Sequence, residues 1–201
     1  MIGRRQFLLG LAAIAGRGQQ RTGPYRPDPS AWQSVGSGAW TAQDRDIVGR
    51  AEKGAHGQGF LLTREEFQDF RLTLSFWISP GGSSCILLRE PRRKWGLLGD
   101  ARPGAGAHCG CQIAIGYHDP ENPTGTIGSV KPKKVIGSEG QWNEMEIICR
   151  GSEARVTIAG QRINRYNQLE NPSGVIGFKI PESAPDGFVV KFQDILISPV
   201  S

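Results

Sequence analysis

The 201-residue sequence lacks long hydrophobic runs, and it carries only four cysteines and three histidines. No apolar stretch approaches the roughly 20 residues that a membrane-spanning helix needs. The net charge is only +5, and the basic clusters 89–94 and 131–134 contain prolines. Nucleic-acid-binding domains concentrate basic residues on one face. We therefore expect neither a membrane-spanning helix nor a nucleic-acid partner.

The N-terminus has the features of an export signal. Residues 1–15 combine Arg4 and Arg5 with an apolar stretch from Phe7 onward, and they end on Ala13-Ile14-Ala15, a small-x-small cleavage pattern. The paired arginines favour a twin-arginine signal; an ordinary secretory signal and a buried helix are the alternatives. We expect a periplasmic or extracellular protein with no stable membrane insertion after signal cleavage.

Residues 16–30 are rich in Gly, Pro and Gln and show no periodicity. Such a composition is typical of a linker. The sequence therefore predicts one folded domain over residues 31–201.

Short strands with a period of two dominate this domain. In Phe70–Ile78, apolar residues alternate with Arg71, Thr73 and Ser75, which predicts a half-buried strand. Trp77 falls on its polar face. The turn residues Pro80–Ser83 and the apolar stretch 85–89 then predict a hairpin.

Nine further segments repeat this pattern, and Trp142 is expected to plug the core at the head of one of them. The segments are 47–51, 59–62, 85–89, 112–115, 144–150, 154–158, 161–164, 175–180 and 189–197. Only residues 63–66 have a helical signal, a capping box of about one turn. Many short strands with turns between them, 28 glycines and 13 prolines predict an all-β, two-sheet antiparallel sandwich of the jelly-roll type.

Several segments, taken in order, resemble one protein family over about residues 39–200. They are Phe67-x-Asp69-Phe70-x-Leu72-x-Leu74-x-Phe76, Ser79-Pro80-Gly81-Gly82-x-Ser84, Leu87-Leu88-Arg89, Gly125-Thr126-Ile127, Gln141-Trp142-Asn143-Glu144-x-Glu146-Ile147, Gly174-Val175-Ile176-Gly177-Phe178 and Val190–Ile197. Their order and spacing resemble the 3-keto-disaccharide hydrolase domain family, concanavalin A-like jelly rolls of exported bacterial proteins.

The resemblance implies cleavage of a glycoside already oxidised at C3 of the sugar. The ketone acidifies the C2 proton, a general base removes it, the glycosidic oxygen leaves and water adds back. Such a site needs a base that works near neutral pH and a group that holds the enolate oxygen.

This sequence departs from the family at polar positions. The family's Tyr-Glu-x-Gln-Ile corresponds to Cys111–Ile115 here, so that Gln112 replaces the carboxylate; Lys179 replaces a glutamine, Ser83 an asparagine and Asp186 a histidine. A glutamine side chain is neither a base nor a carboxylate ligand for a cation. Either the substrate differs or the site only binds.

Six residues are the sequence candidates for the site. His118 and Asp119 are the predicted catalytic pair, because histidine titrates near neutral pH and Asp119 matches a family acid. The predicted substrate ligands are Arg89, Gln112, Lys179 and Trp77, with Trp95 a weaker stacking candidate. Each also has an ordinary structural interpretation, as a solvent-facing strand residue, a loop residue or a packed ring.

The four cysteines, Cys85, Cys109, Cys111 and Cys149, allow three pairings outside the cytoplasm. Cys85 and Cys149 occupy core-facing strand positions, which favours buried thiols, with one disulfide as the alternative. A metal site from His108, Cys109, Cys111 and His118 lacks a known zinc spacing. No cofactor is required by the sequence, and a divalent cation stays open.

Three functions remain open at this point. The first is an exported hydrolase of 3-keto-disaccharides or 3-keto-glycosides, with a carbohydrate as its partner. The second is a non-catalytic, lectin-like module that has lost the family acid. The third is a structural envelope domain that binds another protein.

Overall fold

Two antiparallel sheets form the protein in a computed structural model, which describes residues 24–43, 46–51, 57–92 and 111–200. The strands of the described residues are β1 (Trp32–Gly36), β2 (Ala39–Gln43), β3 (Asp46–Arg50), β4 (Gly59–Thr63), β5 (Phe70–Ile78), β6 (Ser83–Glu90), β7 (Cys111–Gly116), β8 (Asn143–Arg150), β9 (Glu153–Ile158), β10 (Gln161–Tyr166), β11 (Val175–Ile180) and β12 (Val189–Pro199). In this part of the chain no helix is long and apolar enough to span a membrane.

The sheets have five and seven strands within the described residues. The five-stranded sheet has the order β1-β4-β11-β6-β7, and the seven-stranded sheet has the order β10-β9-β8-β5-β12-β3-β2. The all-β antiparallel sandwich of the jelly-roll type is thus confirmed. All ten strands predicted from the sequence are present, and β1 and β2 are additional.

The core lies between the sheets and consists of the side chains that point inward from alternate positions of each strand. Phe178 of β11 stacks on Phe192 of β12 with ring centroids 3.9 Å apart, which joins the two sheets directly. Trp32 of β1 packs on Phe178 at 5.3 Å. Burial of large side chains of this kind stabilises a domain by about 1.5–3 kcal/mol each.

The predicted hairpin between β5 and β6 is wrong. The Gly82 N–H donates to the carbonyl oxygen of Ser79 at 3.0 Å, so a turn does form between the two strands. However, β5 pairs with β8 and β12, whereas β6 pairs with β7 and β11. The turn therefore carries the chain from one sheet to the other, and turn chemistry alone cannot distinguish this corner from a hairpin.

Two other local predictions are also wrong. Thr63 ends β4 rather than capping a helical turn; its hydroxyl donates to Glu65 O at 2.8 Å and accepts from Ile176 N–H at 3.0 Å. Trp142 is 45% exposed and does not plug the core, whereas the adjacent Asn143 is buried. Asn143 binds the backbone of Ser138 and Gln141 instead, which closes the loop before β8.

The described chain joins the sandwich before residue 31. Tyr25 exchanges two backbone hydrogen bonds with Ile197, at 2.6 and 2.8 Å. Residues Pro29–Ala31 form a short 3-10 helix whose N-cap is Asp28. The predicted signal, residues 1–15, and residues 16–23 of the predicted linker lie outside the described residues.

Candidate functional site

One side of the five-stranded sheet looks away from the core. Ile86, Leu88, Ile113 and Phe178 point into the core, so the alternate positions of β6, β7 and β11 point outward. We call the outward side the Lys179–Gln112 face, and its members are Phe60, Leu62, Cys85, Leu87, Glu90, Gln112, Val175 and Lys179. Five of these, Phe60, Leu62, Cys85, Leu87 and Val175, form an apolar cluster separate from the core.

Lys179 and Gln112 flank Cys85 on this face. Lys179 of β11 is the register partner of Cys85 on β6, and Gln112 of β7 is the partner of Leu87. Both polar side chains are partly exposed, whereas Cys85 is buried. The Lys179 ammonium lies 6.0 Å from the centroid of the Phe60 ring. The face therefore presents an ammonium and an amide over an apolar floor.

The Cys85 thiol forms a hydrogen bond with the Gln112 side-chain amide. Its thiol donates to Gln112 Oε1 with a sulfur–oxygen distance of 3.3 Å. Burial raises the pKa of Cys85 to about 12, although the positive charge of Lys179 acts in the opposite direction. The thiol consequently stays protonated at neutral pH and remains a donor to the amide oxygen.

Glu90 is a member of the face that sequence reasoning missed. It pairs with Val175, whose side chain belongs to the outward cluster, so Glu90 also points outward. Its side chain is completely buried. The pairing of β6 with β11 is irregular between Val175 and Gly177, and Arg89 has a φ of +51°. This bulge interrupts the alternation of β6, so that Glu90 rather than Arg89 points outward. The only sequence signal for Glu90 is an acidic residue at the end of an apolar run.

Arg89 lies away from the Lys179–Gln112 face. It is 1% exposed. Its guanidinium donates to the Gln68, Gly151 and Asn171 carbonyls at 2.7, 2.6 and 3.2 Å and to Asp69 Oδ1 at 2.9 Å. These bonds tie β6 to the start of β5 and to the turn between β8 and β9. Arg89 is therefore engaged within the protein rather than directed toward a ligand.

His118 and Asp119 lie in the loop after β7. His118 is exposed, and Asp119 accepts bonds from Glu121 N–H at 2.8 Å and from the Asn122 amide at 3.1 Å. These bonds, led by that from the Glu121 backbone, hold the pKa of Asp119 below its usual value. Because a lower pKa makes a weaker base, Asp119 is better suited to shaping this turn than to removing a proton.

Trp77 is on the opposite side of the sandwich. It projects from the outer face of the seven-stranded sheet, where the Lys191 ammonium lies 4.9 Å from its ring centroid. Of the six sequence candidates, the structure thus brings only Gln112 and Lys179 to one face.

The same outer face of the seven-stranded sheet has a shallow polar trough of about 460 Å³. The side chains that line it include Thr73, Ser75, Glu144, Glu146, Thr157 and Asp194. It offers hydroxyls and carboxylates, and it is separated from Lys179 and Gln112 by the thickness of the sandwich.

No metal centre is apparent among the described residues, where His, Cys, Asp and Glu side chains form no group of three suited to an ion. Cys85, Cys111 and Cys149 are free thiols. The buried state expected for Cys85 and Cys149 is confirmed, although Cys85 lies in the outward cluster rather than between the sheets. Trp95, His108 and Cys109 lie outside the described residues.

A model of a protein family described as the 3-keto-alpha-glucoside-1,2-lyase-like domain matches residues 27–198 of the chain. The match covers every strand of the described structure except the last residue of β12. No curated protein matches the chain.

Solved structures with the same fold include proteins associated with carbohydrates. A Parabacteroides distasonis protein, provisionally named a glycosyl hydrolase, is 17% identical, with a TM-score of 0.60 over 84% of this chain and 99% of that chain. The carbohydrate-binding module CBM66 of Bacillus subtilis is 15% identical, with a TM-score of 0.59 over 84% and 95%. A Bacillus subtilis protein of unknown function with a galectin-like fold is 12% identical, with a TM-score of 0.58 over 90% and 97%. At these identities the likeness establishes the fold.

Proposed function

The chain belongs to the 3-keto-alpha-glucoside-1,2-lyase-like domain family, and on that premise we propose that it is a carbohydrate-active domain that binds a glycoside on the Lys179–Gln112 face. One observation carries this proposal: Lys179 and Gln112, at two polar positions of the family pattern, flank Cys85 on the same outward side. Both are partly exposed and can donate hydrogen bonds to sugar oxygens.

Binding without cleavage is the activity that this face supports best. Elimination from a 3-keto-glycoside needs a base at the C2 proton. Gln112 is no such base, and the Glu90 carboxylate is completely buried. Asp119 is engaged in its own turn, and its lowered pKa makes it a weak base. His118 is exposed in the loop after β7 rather than on the strands of this face, so the proposed role is that of a lectin-like module.

Cleavage of a 3-keto-glycoside is the second candidate, and the family match over residues 27–198 favours it. His118 would accept the C2 proton, and the electrons of the C–H bond would form an enolate. The enolate would then expel the glycosidic oxygen, which would take a proton as the C1–O bond breaks, and water would add to the resulting enone. We also propose export, because residues 1–15 have the twin-arginine pattern.

One experiment separates these functions. The full chain is melted with methyl α-D-glucopyranoside, with its 3-keto derivative and with a 3-keto-α-glucosyl disaccharide, and release of the unoxidised sugar is measured with and without a chelator. A ligand that binds the native state raises the melting temperature. A rise without sugar release supports the binding module.

Lys179→Met should abolish the rise in melting temperature, whereas the matched control Lys191→Met, on the outer face of the other sheet, should retain it. Sugar release by the wild type would instead establish the enzyme. A folded chain that releases no sugar and shows no rise with these ligands or with a glycoside that carries a carboxylate would contradict both candidates.

A further inference from the structure

We propose that the Lys179–Gln112 face selects glycosides that carry a carboxylate, the class of the uronic acids, and that Cys85 is the positioning residue for this preference. The inference rests on the proposed function, because it names the class of glycoside that is bound at the same face. It follows from the hydrogen-bonding character of three neighbouring side chains.

Cys85 fixes the direction of the Gln112 amide. A glutamine side chain has an oxygen that accepts and a nitrogen that donates two hydrogen bonds. Since Gln112 Oε1 is turned toward the Cys85 thiol at 3.3 Å, the amide nitrogen is the end turned away from it. A residue that is an acceptor in the family pattern, a carboxylate, is therefore a donor in this protein.

The Cys85 thiol remains a hydrogen-bond donor because it keeps its proton. Burial raises the pKa of Cys85 to about 12, so its proton is retained throughout the physiological range. Exchange of the thiol for a group that cannot donate would leave the Gln112 amide free to turn over. Its two ends could then alternate between donor and acceptor.

Lys179 supplies the second donor on the other side of Cys85. Strand β6 lies between β11 and β7, and Lys179 and Gln112 pair with β6 residues two positions apart, so their side chains begin about 12 Å apart across two strand spacings and two residues. Both side chains are long enough to meet a ligand group above Cys85. The pair offers one ammonium and one amide NH₂, and each of these groups only donates.

The charge on the face favours an anionic group at this point. Lys179 is the register partner of Cys85, so its ammonium belongs to the part of the face that surrounds the thiol. Glu90 is buried beside Val175, at the other end of the face from the Lys179–Cys85 pair. A negatively charged ligand group above Cys85 would therefore lie closer to Lys179 than to Glu90.

A carboxylate satisfies this donor pair better than a hydroxyl does. It accepts at both oxygens and has no proton to place, whereas a hydroxyl must also find an acceptor. Hydrogen bonds between charged partners are roughly twice as strong as neutral ones. A ring ketone accepts as well, but it lacks the charge, and so should bind more weakly than a carboxylate.

The test compares three sugars by calorimetry on the full chain. Methyl α-D-glucopyranosiduronate differs from methyl α-D-glucopyranoside only in the oxidation of C6, and the 3-keto derivative of the glucoside is the third ligand. We expect the uronide to bind at least about tenfold more tightly than either neutral sugar, and added salt to reduce this preference.

Four variants test whether Cys85 acts by orienting the Gln112 amide or only by packing. Cys85→Ala should lower the preference for the uronide to the part that Lys179 alone supports, whereas Cys85→Ser, which keeps a donor, should retain the wild-type preference. Gln112→Glu places a like charge beside the ligand carboxylate and should abolish uronide binding. Lys191→Met removes one positive charge from the opposite face of the sandwich and should leave the preference unchanged.

The outcomes are distinguishable. If the neutral glucoside binds as tightly as the uronide, or if Cys85→Ala keeps the wild-type preference, the inference is overturned while glycoside binding stands. If none of the three sugars binds to the folded chain, the proposed function fails, and the inference fails with it.

Discussion

The backbone conformation of Arg89 determines the directions in which the Arg89 and Glu90 side chains point. With φ at +51°, Arg89 occupies a left-handed conformation that residues other than glycine seldom adopt. The resulting bulge directs the guanidinium to Asp69 and three carbonyls, and it brings Glu90 to the outward side. β-bulges commonly re-aim side chains near binding sites. Strict alternation along the sequence assigns these two residues the opposite way.

Arg89 should therefore matter for stability. Arg89→Met removes the partner of Asp69 and of the Gln68, Gly151 and Asn171 carbonyls, and we expect a loss of about 3 kcal/mol in the free energy of unfolding, measured by urea denaturation. Arg155→Met is the matched control, because it breaks an ion pair with Glu153 in which the Arg155 side chain is exposed, and it should cost less than about 1 kcal/mol. Equal losses in the two variants would contradict the structural role of Arg89.

Cys149 should make the protein less stable at alkaline pH. Burial raises its pKa from 9.0 to about 12. Between these values the unfolded chain loses the thiol proton while the native chain keeps it, so the unfolded state gains stability as the pH rises. One pH unit above the unfolded pKa, this contribution is about 1.4 kcal/mol.

The measurement for Cys149 is the free energy of unfolding between pH 8 and pH 10. Cys149→Ala should show a shallower decline than the wild type over that interval. The variant should be somewhat less stable at pH 8, where the small cavity is the main difference between the two proteins. Parallel pH profiles would show that the thiol is already ionised or accessible in the native state.

At the scale of the element, periodicity predicts strands well and their partners poorly. The stretch 70–78 is confirmed as β5 residue for residue, because alternating apolar side chains need only a half-buried sheet position. The partner of a strand depends on which sheet the chain enters after a turn. Pro80–Ser83 carries the chain across the sandwich, and no residue in that turn differs in type from those of a hairpin.

Gly59, the first residue of β4, lies against the backbone of Ser37, the residue that follows β1. A Cβ atom there would lie 1.7 Å from the carbonyl oxygen of Ser37, a backbone atom that cannot move alone. We expect Gly59→Ala to lower the free energy of unfolding by about 2–3 kcal/mol, measured by denaturation. Gly116→Ala is the control, since its Cβ would meet nothing closer than 3.6 Å, and it should be nearly neutral. A neutral Gly59→Ala would contradict this close approach of the Ser37 carbonyl to β4.

At the scale of the whole molecule, the sequence predicts the fold, but it predicts the residues of the candidate site only in part. Strand periodicity and turn residues define a sandwich without reference to any ligand. The face that a side chain occupies depends on sheet membership and bulges, which is why Gln112 and Lys179 share a face while Trp77 lies on the other sheet. Asp119 illustrates a further limit of prediction from sequence. Its carboxylate accepts hydrogen bonds from the Glu121 N–H and the Asn122 amide, and the sequence pattern does not reveal these bonds.

The location of the glycoside on the sandwich is the most direct test of this account. The measurement is a two-dimensional ¹⁵N NMR titration of the full chain with methyl α-D-glucopyranosiduronate, including the side-chain amide of Gln112. We predict that the Gln112 amide and backbone signals of β6, β7 and β11 shift together. Shifts confined to Thr73, Ser75 and Thr157, in the trough on the seven-stranded sheet, would contradict it.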